Sequence, residues 1–326
     1  MDKKSLTGRN VLWGVALLSL CFLTVVFVPF VGSAAVVLLP LPVIYFTGKL
    51  GRYGGCLVLA VSLLVIDTTL RLTHAEGDIS LFLLLGGLGV AIAEILGRAF
   101  SAERTVLFST IAGTGLVVLM LAVHSAFLGQ APWAVVHDYL ASSFRESMEM
   151  SAQLGAQDEQ IALVRDHLEI IVRSLLYVFP ALVLVGLAGV VCLNLLFSRA
   201  LFFLGGLSFP SFGDLTRWHP PERMIWLFIG SGAAVLLPPL LGTGGTEIVV
   251  AGLNVLIVCL FVYFLQGLAV MESFFKTRRI PRLLKVLFYF LLLIQQYLLM
   301  LVCIIGLLDL WFDFRRLNRV DPEPRP

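Results

Sequence analysis

Residues 11–30 are twenty consecutive positions without a charged side chain, and uncharged apolar runs of similar length recur at 106–128 and 248–270. A helix rises about 1.5 Å per residue, so twenty residues reach roughly 30 Å, the thickness of a bilayer's hydrocarbon core. Only 13% of the 326 residues are charged and 59% are hydrophobic. A soluble domain carries about 25% charged residues. A membrane barrel would instead show alternating segments of about ten residues. The fold class expected is all-α and polytopic.

The chain reads as a single membrane domain over 1–326, with about nine transmembrane helices. Residues 11–128 hold five spans, at 11–30, 34–46, 56–70, 79–95 and 106–128. Residues 11–30 exceed the roughly 7–15 apolar residues of a signal peptide, so they are read as a retained first span. Prolines at 40 and 42 break the second run, and the glycine-rich turn 48–55 separates it from the third. Residues 170–310 hold four spans, at 170–197, 224–241, 248–270 and 286–310. Pro180 predicts a kink in the first of these. Residues 311–326 are a polar tail.

Residues 129–169 interrupt the pattern with seven acids against two arginines. Val136, Leu140, Phe144 and Met148 recur every four residues. Ile161, Val164, Leu168, Ile171 and Leu175 recur at three and four. Both are helical stripes, so an extracytoplasmic amphipathic hairpin is expected, turning near 155–158. Its second helix should run on into the next span.

Cytoplasmic loops concentrate Lys and Arg. With the N-terminus inside, fifteen cations fall on inner segments and four (Arg71, Arg145, Arg165, Arg173) on outer ones before the tail. The expected location is a bacterial plasma membrane with a cytoplasmic N-terminus. Nine crossings would put the tail outside with Arg315, Arg316, Arg319 and Arg325. If the last run folds back near Gln295-Gln296, the tail returns inside.

Catalytic patterns are absent, and an enzyme is not expected. The turn Gly242-Thr-Gly-Gly-Thr-Glu247 lacks the Lys-Ser/Thr ending of a phosphate loop. The five histidines have no metal-ligand spacing. Cys21, Cys56, Cys192, Cys259 and Cys303 sit singly in or beside apolar runs, as packed thiols do. No metal, cofactor or nucleic acid is expected. The bilayer is the first partner, and a membrane-protein partner is compatible with the sequence.

Polar residues inside apolar runs are costly unless paired or facing a cavity. The candidates for ligand contact or for locking helices together are Asp67, Asn254, Gln266, Asp309, Asp313 and Arg316. Glu94 has Arg98 four residues on and is expected to pair with it. Gln266-Gly267 is read as a close-packing site. Spacings of four and three put Asp309, Asp313 and Arg316 on one helical face. This end reads either as a solvated helix terminus anchored by Trp311 and Phe312, or as a lock in which both aspartates pair with Arg315, Arg316 or a loop arginine and hold the last helix to the bundle. On a nine-span map Asn254 and Asp309 lie at different depths.

The segments Asn254-Val-Leu-Ile, Phe264-Leu-Gln-Gly-Leu-Ala-Val270 and Gly306-Leu-Leu-Asp-Leu-Trp-Phe-Asp-Phe-Arg-Arg316 resemble the C-terminal signature of the YybS-like family of bacterial multi-pass membrane proteins. The N-terminal half, with Leu39-Pro-Leu-Pro-Val-Ile and the turn 48–55, is similar to substrate-binding subunits of energy-coupling-factor transporters and to MreD-like cell-shape proteins. The resemblance implies a shared helical core. It departs in one respect, since residues 11–30 lack the small-xxx-small alanine motif that docks such subunits on their transporter. The function expected is binding or helping to move a small ligand. The alternative is an MreD-like envelope-assembly scaffold with no small ligand.

Overall fold

A computed structural model describes residues 8–28, 32, 35–74, 79–153, 158–240 and 245–315. Lys3 and Lys4, residues 155–157 of the turn expected at 155–158, residues 242–244 of the turn 242–247, and Arg316, Arg319 and Arg325 lie outside the described residues. The described elements are helices: α1 (Gly8–Phe27), α2 (Pro40–Thr73), α3 (Ile79–Leu96), α4 (Ala102–Leu128), α5 (Pro132–Gln153), α6 (Asp158–Asp166), α7 (Leu168–Leu204), α8 (Met224–Leu240), α9 (Thr246–Thr277), α10 (Arg282–Ile294) and α11 (Gln296–Phe312). Short 3-10 turns occupy Val36–Leu38 and Leu215–Arg217. Among the described residues there is no β-strand. By length and composition six helices can cross a membrane, or seven if α10 and α11 form one span. Hydrocarbon offers no partner to a backbone amide, so helices that close their own bonds are the expected solution.

Two compact units partition the chain. The first comprises Met1–Leu176 and Gly186–Ser211, the second Tyr177–Val185 and Phe212–Pro326. In the first unit α2 is not one straight rod. Gly51 takes φ 80 and ψ 172, which glycine adopts without steric cost. A Cβ on Gly55 would collide with Thr47. In a straight helix those residues stand about 12 Å apart, so the chain doubles back at Gly51. The expected turn is therefore present, although the two flanking segments run together without a loop. Leu18 and Phe22 of α1, Val43, Val58 and Ile66 of α2, and Phe82 and Leu85 of α3 form the core. The Phe22 and Phe82 rings lie 4.8 Å apart. Gly89 lets α3 approach within 2.8 Å of the Pro40 carbonyl, measured from where its Cβ would be. Small residues at helix crossings permit this.

The first amphipathic stripe is helical in α5, and the second is divided between α6, which holds Ile161 and Val164, and the start of α7, which holds Leu168, Ile171 and Leu175. Val136 is buried and Leu140, Phe144 and Met148 are half-buried, while Tyr139 and Met150 are exposed. The second helix does not run on unbroken: α6 stops at Asp166, and His167 begins α7 with φ −107. Its ring Nδ1 lies 3.0 Å from the Leu163 carbonyl. The expected Glu94–Arg98 pair does not form. Helix α3 ends at Leu96 and Ala99 takes φ 52, so Arg98 leaves the face that carries Glu94.

In the second unit the run 286–310 is not one continuous crossing. It breaks at Gln295 (φ −101, ψ 104), and α10 and α11 meet at 109°. Lys285 and Tyr289 of α10 bond Glu272 at 2.8 and 3.2 Å. Helix α11 then runs beside α9 in the same direction. The Cys303 thiol donates to the Leu260 carbonyl, and Gln266 donates to Asp309, each across 43 residues. The beginning of α10 and the end of α11 thus bond the same end of α9, so the last apolar run folds back on itself. Asp309 is thereby level with Gln266, while Asn254 lies about three turns earlier on α9, so Asn254 and Asp309 remain at different depths.

The crossing of α9 and α11 is made by two glycines. A Cβ on Gly306 would meet the Tyr263 carbonyl and lie 2.6 Å from the Gly267 nitrogen, and one on Gly267 would strike the Val302 carbonyl. Backbone cannot yield as a flexible side chain does. Gly306→Ala is expected to destabilise the detergent-purified protein by about 1–3 kcal/mol through overpacking. Gly115→Ala, on α4 with open space around it, should be neutral or slightly stabilising. Thermal unfolding of both variants checks this, and equal melting would contradict the close crossing.

Candidate functional site

The last turn of α11 ends in Asp309-Leu-Trp-Phe-Asp313. Asp313 caps the helix in a left-handed conformation, φ 42, and its N–H donates to the Asp309 carbonyl at 3.0 Å. It therefore does not continue the helical face of Asp309, as the spacing had suggested. The tight turn brings the next two residues back over Asp309. Phe314 N–H donates to Oδ1 at 3.1 Å. The Arg315 guanidinium donates to Oδ2 through Nε at 3.1 Å and Nη2 at 2.6 Å. From α9, Gln266 Nε2 donates to the same oxygen at 3.1 Å. Side-chain exposure is 2% for Arg315 and 4% for Asp309, so neither charge has water to fall back on.

The rest of the guanidinium is occupied as well. Nη1 donates to the carbonyls of Thr216 at 2.8 Å and Trp218 at 2.7 Å. Those carbonyls are held by Asp214, which accepts from the Thr216 N–H at 3.2 Å and hydroxyl at 2.8 Å. Lys276, at the end of α9, bonds Asp214 at 3.0 Å. The Lys276 ammonium, with the two Thr216 donors, pulls the Asp214 carboxyl down to about 2. One network therefore joins α9, α11 and the loop before α8. Two guanidinium donors on Oδ2, a backbone N–H on Oδ1 and carbonyl acceptors for Nη1 satisfy both charges, which is what makes a buried ion pair tolerable.

Asn254 sits elsewhere on α9 and has a different task. In a regular helix the Ala181 N–H would bond the Tyr177 carbonyl, and Pro180 between them disturbs that ladder. Asn254 Oδ1 accepts from Ala181 N–H at 2.9 Å, and Nδ2 donates to the Tyr177 carbonyl at 2.7 Å. Its second amide proton goes to Val250 at 2.8 Å. The amide is fully engaged by backbone.

Asp67 pairs with Arg71 at 2.9 Å within α2, at a partly exposed position. Arg316 lies outside the described residues. The six candidates thus separate: Gln266 and Asp309 meet, and Asn254 and Asp67 each hold other groups. Among the described residues no three His, Cys, Asp or Glu side chains group as metal ligands. The five cysteines are free thiols. His137 of α5 lies 3.2 Å from Asp138 and 3.5 Å from Glu169. The Asp138 hydrogen bond, followed by Glu169, raises its pKa.

Sequence reasoning missed Asn194 of α7. Its Nδ2 donates to the carbonyls of Val37 and Val190, both at 2.8 Å. Oδ1 has no partner among the described residues. The signal was available, because an amide inside an apolar run had already singled out Asn254.

Long apolar helices tied by internal amide and ionic contacts, with apolar side chains such as Leu107, Ile111 and Val118 exposed, define an integral membrane protein. The chain belongs to the family described as "Predicted membrane protein (DUF2232)", whose model matches residues 16–310. It is similar to "Uncharacterized protein YybS" of Bacillus subtilis (strain 168), at 22% identity over 311 residues, 92% of this chain and 94% of that protein. No solved structure matches.

Removing one partner of a buried pair leaves the other charge uncompensated, at about 3–5 kcal/mol, while replacing both by apolar groups is often neutral. Asp309→Asn is therefore expected to destabilise the purified protein by about that amount, and Asp309→Leu combined with Arg315→Met to recover most of it. Denaturation of the three proteins in one detergent tests the lock. A double variant as unstable as the single would count against it.

Proposed function

We propose that this chain is a non-enzymatic protein of the bacterial plasma membrane that binds a small uncharged polar ligand within its first unit. In this it would act like the substrate-binding subunit of a transporter. The observation that carries this reading is a set of buried polar atoms without partners. Among the described residues eight such atoms occur, and six lie in the first unit: Ser19 Oγ, Thr47 Oγ1, Ser109 Oγ, Thr110 Oγ1, Asn194 Oδ1 and Ser198 Oγ. Native interiors pair nearly all buried polar groups. Hydroxyls in membrane helices ordinarily return to the carbonyl four residues back. Thr24, Thr68, Thr69, Thr114 and Ser174 do so here.

The Asn194 amide cannot simply be turned over. Two carbonyl acceptors 2.8 Å from one atom require that atom to be the NH₂ group. Oδ1 therefore points away as an acceptor, with the unpartnered Ser198 hydroxyl one turn further along α7. None of the six side chains is charged, which favours a neutral hydrogen-bonding molecule over an ion. The two remaining atoms, Tyr263 Oη and Gln266 Oε1, belong to α9. A second reading, an MreD-like scaffold, is favoured by the exposed Trp133, Tyr139 and Met150 of α5.

Purification in mild detergent, followed by mass spectrometry of extracted small molecules, tests the first reading. A neutral polar compound is expected with the parent protein, reduced at least about ten-fold with Asn194→Leu, since one lost bond in a buried site costs about 1–3 kcal/mol. Absence of any such compound, together with a stoichiometric protein partner lost when α5 is made polar, would favour the scaffold.

The topology proposed is a cytoplasmic N-terminus, residues 129–169 outside, and eight crossings followed by a re-entrant α10–α11 pair. It rests on the charge distribution and on the two ends of that pair bonding one end of α9. Reporter fusions after residues 150, 280 and 320 are expected outside, inside and inside. An external reporter at 320 would restore the nine-crossing map.

A further inference from the structure

We propose that the junction between α9 and α10 is a binding surface for an anionic phospholipid of the surrounding bilayer. Residues 276–285 carry five cations, Lys276, Arg278, Arg279, Arg282 and Lys285. Two of them are committed internally, Lys276 to Asp214 at 3.0 Å and Lys285 to Glu272 at 2.8 Å. Among the described residues Arg278, Arg279 and Arg282 form no ion pair, and all three are exposed. The Arg278 guanidinium lies over the Phe274 ring at 5.9 Å, which orients it without neutralising it. Arg279 takes φ 51 and turns the chain at the end of α9.

The surface next to these arginines is apolar. Helix α10 gives Lys285 and Tyr289 to Glu272, and Phe275 packs on the Phe288 and Tyr289 rings. The opposite side is uncovered. Val286, Phe290 and Leu293 follow Arg282 at helical spacing, with 65%, 57% and 85% exposure. Arg282 thus heads an exposed apolar stripe on its own helix face. A soluble anion would use the guanidinium groups and leave that stripe in water. A phospholipid uses both, placing its phosphate on the planar guanidinium donors and its acyl chains along α10. Unpaired arginines at a membrane surface favour the anionic headgroup over the zwitterionic one.

Native mass spectrometry of the full-length protein, titrated with phosphatidylglycerol and phosphatidylcholine of matched chains, tests the assignment. The parent protein is expected to retain phosphatidylglycerol preferentially. Arg279→Gln combined with Arg282→Gln should cut that preference at least about ten-fold. Arg145→Gln combined with Arg165→Gln should leave it unchanged. Adding about 0.5 M salt should weaken the preference of the parent protein itself, a measurement that needs no variant. Equal retention of the two lipids, a preference untouched by the Arg279/Arg282 change or by salt, or displacement by millimolar inorganic phosphate would each overturn the proposal, the last by assigning the surface to a soluble anion.

Discussion

A bilayer supplies no hydrogen-bond partner at depth, so every backbone group that leaves a helical ladder must find one within the protein. The interior contacts of this chain answer to that constraint. Pro180 disturbs α7, and the Asn254 amide takes both backbone groups on either side of it. The loop before α8 turns sharply, and the carbonyls of Thr216 and Trp218 are taken by Arg315. Polar side chains in apolar runs serve here as substitutes for water.

The Asp309–Arg315 pair extends the same logic to charge. Two ions with 2% and 4% side-chain exposure would each be strongly unfavourable alone. They are tolerated because the guanidinium also donates to two carbonyls and the carboxylate also accepts from Gln266 and Phe314. That arrangement requires α9 and α11 to run almost in contact, which the glycines at 267 and 306 permit. Packing and electrostatics therefore depend on each other. Without the close crossing Gln266 would not reach Asp309, and without the pairing the crossing would bury an unpaired charge.

The two units handle buried polarity differently. In the second, Asn254 and Asp309 are spent on holding helices together, and among the described residues Tyr263 Oη and Gln266 Oε1 are the buried side-chain atoms left without partners. In the first, hydroxyls on α1, α2, α4 and α7 and the Asn194 carbonyl have no partner among the described residues. The same residue type behaves in two ways: Thr114 on α4 returns its hydroxyl to its own helix, and Thr110 one turn earlier does not. That contrast separates polar groups that maintain the fold from those with hydrogen-bonding capacity to spare.

Class and most helix positions were legible in the sequence, because a run of about twenty apolar residues has one stable form in hydrocarbon. The glycine-rich turn 48–55, the helical stripes of residues 136–148 and 161–175, and the cost of Asn254, Gln266 and Asp309 in apolar runs were legible too, from local composition and periodicity. Their partners were not. Asn254 meets residues more than seventy positions away, and which arginine would reach Asp309 depended on a left-handed turn at Asp313 that spacing alone does not encode. Hydropathy cannot distinguish a 25-residue run that crosses from one that breaks at Gln295 and returns, since both present the same apolar surface to lipid. The direction of α11 beside α9 was settled by tertiary contacts, where Lys285 and Tyr289 hold Glu272 and Asp309 holds Gln266.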